Sequence, residues 1–280
     1  MKFYLLFFGL LFTLSISAEI REITHLDEAF KVIRQDSIVL IDLDDTLIES
    51  SLMLGGKAWR HYAVSFLKSI YSAEKTQELR DKMTYWIAQR VPCIAVENSI
   101  HAYLNQLKHD QIPVFGFTSR SRKYWNTLPC ENGEELALLH LKQAGFDLEV
   151  FSDVLWPHPN FAKGIFFTSP GGEKGKLALE IFAETCPKHV VFIDDMISNV
   201  LSMEKAFTEL GVVAVCFHYQ HVDLYRSFDP LTTAIQLEKL HSEEVLLSDS
   251  EALSLRQNYG DCDPDMLLLK FIEYLGKEQY

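Results

Sequence analysis

Short uninterrupted apolar runs along this chain alternate with longer stretches in which apolar residues return every three or four positions. The run Ser37 to Ile41 (SIVLI) is rich in β-branched residues and stops abruptly at Asp42, Asp44 and Asp45. It reads as a strand buried on both faces. Ile112 to Phe117 is a second such run and ends at Thr118; His189 to Ile193 is a third and ends at Asp194 and Asp195; Val212 to Phe217 is a fourth. Helical spacing precedes two of them, through Ile100, Leu104 and Leu107 and again from Val200 to Leu210. Strands alternating with helices predict an α/β fold built on a doubly wound parallel sheet. Ligands of such sheets bind beyond the carboxyl ends of the strands, where three of these four runs place polar residues.

The first two strands are separated by Glu49 to Val96, far more chain than the roughly 2–6 residues of an ordinary α/β loop. Trp59, Tyr62, Ala63, Phe66, Leu67 and Ile70 recur at helical spacing, as do Leu79, Met83, Trp86 and Ile87, so this insert is expected to be a small helical cap. Most of these residues read as core packing, and His61 has only a modest claim to touch a ligand. A second insertion, Trp156 to Gly172, is bounded by Pro157, Pro159 and Pro170 and is expected to hold a hairpin or short strand from Phe161 to Thr168. Beyond Tyr219 the chain turns acidic and helical, around Leu231 to Leu240 and Met266 to Leu275, and is expected to pack against the sheet. The expected division is a leader over 1–18, a core over 19–48 and 97–280, and a cap over 49–96.

The leader reading rests on Lys2 followed by an uncharged run, Phe3 to Ala18, that closes in the small residues Ser15, Ser17 and Ala18. This is the layout of a secretory signal peptide with Ala18 as the last residue removed; an uncleaved anchor or a buried helix is the alternative, and the run is shorter than the roughly 20 apolar residues of a spanning helix. Export, to a periplasm or the medium, with no stable membrane span after cleavage is therefore expected. At 280 residues and 48% hydrophobic the chain can bury one large core with an accessory module. A net charge of −13 argues against nucleic acid as a partner. A phosphorylated substrate then needs a local positive site, which a bound cation supplies. The five cysteines show neither a CxxC pair nor zinc spacing, and both disulfides and core thiols fit them. Nothing in the sequence speaks to oligomeric state.

Asp42 and Asp44, two apart at a strand end and followed by Asp45 and Thr46, form a DxDxT pattern. One carboxylate of such a pair can attack phosphorus while the other donates a proton to the leaving oxygen and then activates water. Alone the pattern is weak, because acids after strands often serve only as turn or capping groups. Arg120, beside Thr118 and Ser119, can bind a substrate anion or support its loop.

IVLIDLDDTLIES resembles the first motif of the haloacid dehalogenase-like superfamily, and the remaining motifs of that family follow in order. VFGFTSR resembles the second, with Thr118 where a hydroxyl binds a phosphoryl oxygen and with Ser119 and Arg120 as substrate-binding candidates. GGEKGKLAL resembles the third, with Lys174 as the cation and Lys176 as its competitor; VVFIDDMISN resembles the fourth, with Asp194, Asp195 and Asn199. The resemblance spans Ser37 to Val215 and implies a Rossmann-like core, a magnesium-dependent phosphohydrolase and Asp42 as the nucleophile. It also implies magnesium held by the Asp42 carboxylate, the Asp44 carbonyl and a fourth-motif acid, Asp194 or Asp195, with alignment of Asn199 favouring Asp195. An acid at Asp44 separates the chain from the dehalogenases of that superfamily. The whole layout is similar to a sub-group of exported bacterial proteins of unknown function, which leaves the substrate, a small phosphomonoester by the size of the cap, otherwise open. A non-catalytic exported protein that keeps the fold and binds a metal or a partner is the alternative.

Overall fold

The computed structural model describes residues 18–276 except 131, 153, 155, 186 and 261. The leader therefore lies outside the described residues but for Ala18, which opens the first strand and pairs with Ala214. The strands are β1 (Ala18–Ile23), β2 (Ser37–Ile41), β3 (Ile48–Ser50), β4 (Cys93–Ala95), β5 (Val114–Thr118), β6 (Tyr124–Trp125), β7 (Leu128–Pro129), β8 (Phe161–Ala162), β9 (Ile165–Phe167), β10 (His189–Asp194) and β11 (Val213–Tyr219). The helices are α1 (Leu26–Phe30), α2 (Lys57–Ile70), α3 (Ala73–Ala88), α4 (Ile100–His109), α5 (Gly133–Gln143), α6 (Lys174–Phe182), α7 (Ile197–Leu210), α8 (His221–Tyr225), α9 (Pro230–Glu243), α10 (Asp249–Tyr259) and α11 (Pro264–Leu275).

Seven strands form one sheet in the order β1-β11-β10-β2-β5-β9-β8, parallel throughout except for the β8–β9 hairpin. It is a Rossmann-like sheet with β2 at its centre. The side chains of β2 show why: Val39 and Ile41 enter one apolar cluster with α4 and α5, while Leu40 enters another with α6 and α7. Both faces are thus dry, and each such side chain contributes roughly 1.5–3 kcal/mol by leaving water. Register is tight, with Leu40 opposite Phe192 on one side and Phe115 on the other. After β9 the chain crosses to β10 on the far side of β2, so the order reverses at β2 and opens a crevice at its carboxyl end.

The insert leaves through β3 and returns through β4, an antiparallel pair that carries α2 and α3 between them. Two expectations need correction. Trp156 to Gly172 does hold a hairpin, but its strand β9 extends the main sheet beside β5 and is no separate insertion. The C-terminal helices do not pack on the sheet: Leu237 and Leu240 of α9 and Leu268, Phe271 and Leu275 of α11 join Trp59, Leu67, Met83 and Trp86 of the insert in a third apolar cluster. Both sheet faces are already covered, so the apolar stripes of α2 and α3 and those of the C-terminal helices have each other as their remaining partners. Cys93, Cys130, Cys216 and Cys262 are free thiols.

Candidate active site

Asp42 follows the central strand directly, and its N–H donates to the Ile193 carbonyl at 2.9 Å, which prolongs the parallel ladder and fixes the backbone at the crevice. Its carboxylate is buried and meets Lys174, the first residue of α6. The Lys174 ammonium, fully buried, lies 2.6 Å from Asp42 Oδ1 and 2.6 Å from Asp194 Oδ2. An unpaired ammonium there would be prohibitive; although burial works against its charge, Asp194 and Asp42 raise its pKa and keep it protonated. Lys176 projects into solvent beside Glu173.

Asp194 ends β10 and is held firmly, by Lys174, by the Met196 N–H at 2.8 Å and by Asn199 Nδ2 at 3.1 Å from each oxygen. The next residue, Asp195, gives its N–H to Thr46 Oγ1 at 3.1 Å, and its carboxylate accepts from Lys57 Nζ at 3.0 Å. Asp42, Asp194 and Asp195 each offer an oxygen within 4.8 Å of the others. Burial, aided by neighbouring carboxylates, pushes Asp195 up to about 7 and raises Asp42 well above the ordinary carboxylate range. The donor set is all oxygen, buried and short of positive charge, which fits a hard divalent cation.

The neighbours divide between two arginines. Burial alone would raise Asp44, but Arg120 grips both its oxygens, at 2.8 and 2.6 Å, and holds it down to about 2. The same guanidinium donates to His140 Nδ1 at 3.0 Å. An arginine has no acceptor, so His140 carries its proton on Nε2 and gives it to the Ala88 carbonyl at 2.7 Å. Asp45 adopts a left-handed conformation, φ 59°, of the kind Asp tolerates in a tight turn, and pairs with Arg60 of α2. Thr118 is fully buried at the end of β5, its Oγ1 accepting the Arg120 N–H at 3.1 Å. Ser119 is exposed, and its carbonyl accepts from Thr168 Oγ1 at 3.0 Å.

A cleft of about 580 Å³ separates this sheet edge from the insert, and Asp42, Asp44, Asp195, Ser119 and Arg120 line its floor. Its roof includes Lys57, Arg60, His61, Val64, Ser65 and Lys68, one face of α2, and Trp125 of β6. Lys57, Arg60, Trp125 and His140 belong to none of the sequence motifs yet stand at the site. A signal for the first two existed: Lys57, Arg60, His61 and Lys68 form a polar, basic stripe away from Trp59 and Ala63, although solvated faces of helices look the same.

Fold and site define the class: an α/β protein whose central strand delivers an aspartate to a buried centre of three carboxylates and two lysines. Residues 19–253 match the family model described as "Protein of unknown function (DUF2608)", and the chain belongs to that family. It is 23% identical over 268 residues to a putative outer membrane protein of Chlamydia pneumoniae, across 90% of this chain and 97% of that one. Among solved structures it is similar to a haloacid dehalogenase-like family hydrolase from Streptococcus pneumoniae, at 13% identity and a TM-score of 0.41, over 66% of this chain and 95% of that one. No helix among the described residues is long and apolar enough to cross a membrane.

Proposed function

We propose that the protein is an exported, magnesium-dependent phosphohydrolase that cleaves a small phosphomonoester through an aspartyl phosphate on Asp42. The observation that carries this reading is the position of Asp42: at the switch point of the sheet, 2.6 Å from a buried lysine and within ligand distance of two further buried carboxylates. Asp42 and Asp195, with the Asp44 carbonyl, are the residues that would hold magnesium; Asp194 spends its oxygens on Lys174, Met196 and Asn199 and acts by orienting the lysine. Bound there, the ion would neutralise charge on the phosphoryl oxygens.

An Asp42 carboxylate oxygen attacks phosphorus and the bond from phosphorus to the leaving oxygen breaks, with Asp44 supplying that oxygen's proton. Water, deprotonated by Asp44, then hydrolyses the acyl phosphate to free Asp42 and inorganic phosphate. Thr118 donates to a phosphoryl oxygen and Lys174 offsets the charge that builds up there. Ser119 and Arg120 bind the phosphate's outer oxygens, and the cap, residues 49–96 joined by the C-terminal helices, covers a substrate of modest size. The run before Ala18 and the name of the chlamydial relative both support export.

One observation favours the rival, a non-catalytic exported protein that keeps the fold: Asp44 is locked to Arg120 as an anion and has no proton to give in this state. In the phosphatase reading Arg120 turns its donors to the incoming phosphate and releases Asp44. Purified protein with magnesium, assayed for phosphate release over a panel of metabolites and an aryl phosphate beside Asp42→Asn, separates the two. Magnesium-dependent release that vanishes in the variant is expected; metal binding without turnover across the panel would establish the rival.

A further inference from the structure

On the β1–β11 half of the same sheet edge, away from the acidic centre, three metal-ligating side chains arrive from three separate parts of the chain. His25 follows β1, His221 follows β11, and Glu97 follows β4 as the insert returns. One ligand atom of each lies within 4.8 Å of the other two. His25 Nδ1 stands 3.2 Å from Glu97 Oε2, which matches the ~3.3 Å between two ligand atoms on a tetrahedral ion with bonds of ~2.0 Å.

Two of the three are also oriented from behind. His221 Nδ1 lies 3.0 Å from the Thr24 carbonyl; an oxygen acceptor there fixes the proton on Nδ1 and leaves the Nε2 lone pair to bind. Glu97 Oε1 accepts the Leu26 N–H at 2.8 Å and the Tyr219 hydroxyl at 2.6 Å, so Oε2 is the oxygen left toward His25. Tyr225 packs beside both imidazoles, at centroid distances of 5.6 Å from His25 and 4.7 Å from His221. The Gln220 N–H, bonded to the Ile23 carbonyl at 3.0 Å, ties the two histidine-bearing loops together. A simple ion pair between His25 and Glu97 accounts for only one of these contacts.

We propose that His25, Glu97 and His221 form a second metal site, one that takes a single zinc ion or a similar borderline divalent cation with water as its fourth ligand. Two imidazoles and one carboxylate suit such an ion, whereas the all-oxygen centre at Asp42 suits a harder one, so the two sites differ in metal. Exposure of His25 leaves a side open to that water. The site ties the end of the edge strand to the base of the insert, which gives it a structural role that does not depend on the phosphatase reading.

The test is to titrate the purified protein with cobalt(II), a visible stand-in for zinc, in excess magnesium. A single equivalent should develop the intense visible absorption of a four-coordinate ion and be displaced by zinc. His25→Ala and His221→Ala, shown to be folded by circular dichroism, should each weaken that binding by at least about tenfold, while Asp195→Asn leaves it unchanged. Should either histidine variant fail to fold, imidazole nitrogen resonances of the unsubstituted protein decide, because zinc must shift those of His25 and His221 together. A titration without a saturable band, a band that survives both substitutions, resonances that stay put, or a band lost with Asp195→Asn overturns the site.

Discussion

Asp42 and Asp44 sit two residues apart yet in opposite electrostatic settings, and the contrast sets separate expectations for each. Burial among acids raises Asp42, and Lys174 supplies its countercharge; Asp44 is held near 2 by Arg120. Asp42→Asn keeps the shape and removes the anionic nucleophile, so turnover should vanish with the thermal transition little changed; full magnesium-dependent activity in that variant would remove Asp42 from the mechanism. Asp44→Asn retains the nucleophile and the carbonyl. Its loss should be greatest with poor leaving groups, smaller in the first step with an activated aryl phosphate, and accompanied by phosphoenzyme that can be trapped on Asp42. Equal losses for both kinds of leaving group would argue against Asp44 as the acid. His140 allows a test free of any substrate. Burial and the adjacent Arg120 hold it at about 4, against 6.5 for an ordinary imidazole. Between those values the unfolded chain binds a proton that the folded chain refuses, so stability falls as the pH drops through the window and is unaffected by this group above it. The whole contribution is up to about 3 kcal/mol. Denaturant midpoints of the wild type and His140→Gln, which keeps a donor for Ala88 and an acceptor for Arg120, should therefore converge as the pH falls from 7 to 4. Parallel curves would show that His140 already titrates normally.

Elements are where the sequence spoke most clearly, because burial on both faces writes an uninterrupted apolar run. SIVLI, HVVFI and the run before Thr118 all became strands of the central sheet, and the acids and threonine after them all arrived at one edge. β1 was not legible: AEIREI mixes charged with apolar residues and breaks alternation at Arg21 and Glu22, and it adjoins the apolar leader. Nor was the docking of α9 and α11, since an amphipathic stripe shows that a face must be covered and is silent about what covers it. Their starts were written locally, Asp229–Pro230 and Asp263–Pro264, with the aspartate accepting a backbone N–H and the proline at the first helical position. One glycine links an element to the site. A Cβ on Gly175 would stand 2.2 Å from the Ser202 carbonyl oxygen, so α6 can approach α7 this closely only without a side chain there. Since Lys174 is the neighbouring residue, Gly175→Ala should push α6 outward, destabilise the protein by about 1–3 kcal/mol and draw the ammonium away from Asp42. Activity falling out of proportion to the change in stability, measured well below the melting temperature, is the expected signature. An alanine variant with unchanged stability would mean that the two helices separate at no cost.

At the scale of the whole molecule the insert has two attachments, and they differ in kind. β3 and β4 connect it covalently to the sheet, and Arg226, whose Nε lies 2.6 Å from Glu49 Oε2, braces that neck from the C-terminal side. Its apolar face, however, is closed by the far end of the chain, through Leu237, Leu268, Phe271 and Leu275 packed on Trp59, Met83 and Trp86. The roof of the cleft thus depends on α9 and α11 being folded in place, although none of their residues lines the cleft. Regions with their own apolar cluster open as units, at a free energy set by that cluster. Phe271 is buried against the Trp86 ring, at a centroid distance of 4.8 Å. Phe271→Ala should then cost about 3–5 kcal/mol, and the loss should be confined to the third cluster. Amide exchange is the measurement: α2, α3, α9 and α11 should lose protection together, while β2 and β10, sealed between the other two clusters, keep theirs. The Asp42–Lys174 pair lies on the protected side, so a small activated phosphate that needs no roof should retain more of its turnover than a substrate held by Arg60 and Trp125. If α2 and α3 exchanged unchanged while α11 opened, the insert would be standing on its own, and the C-terminal helices would have no part in holding the roof over the site.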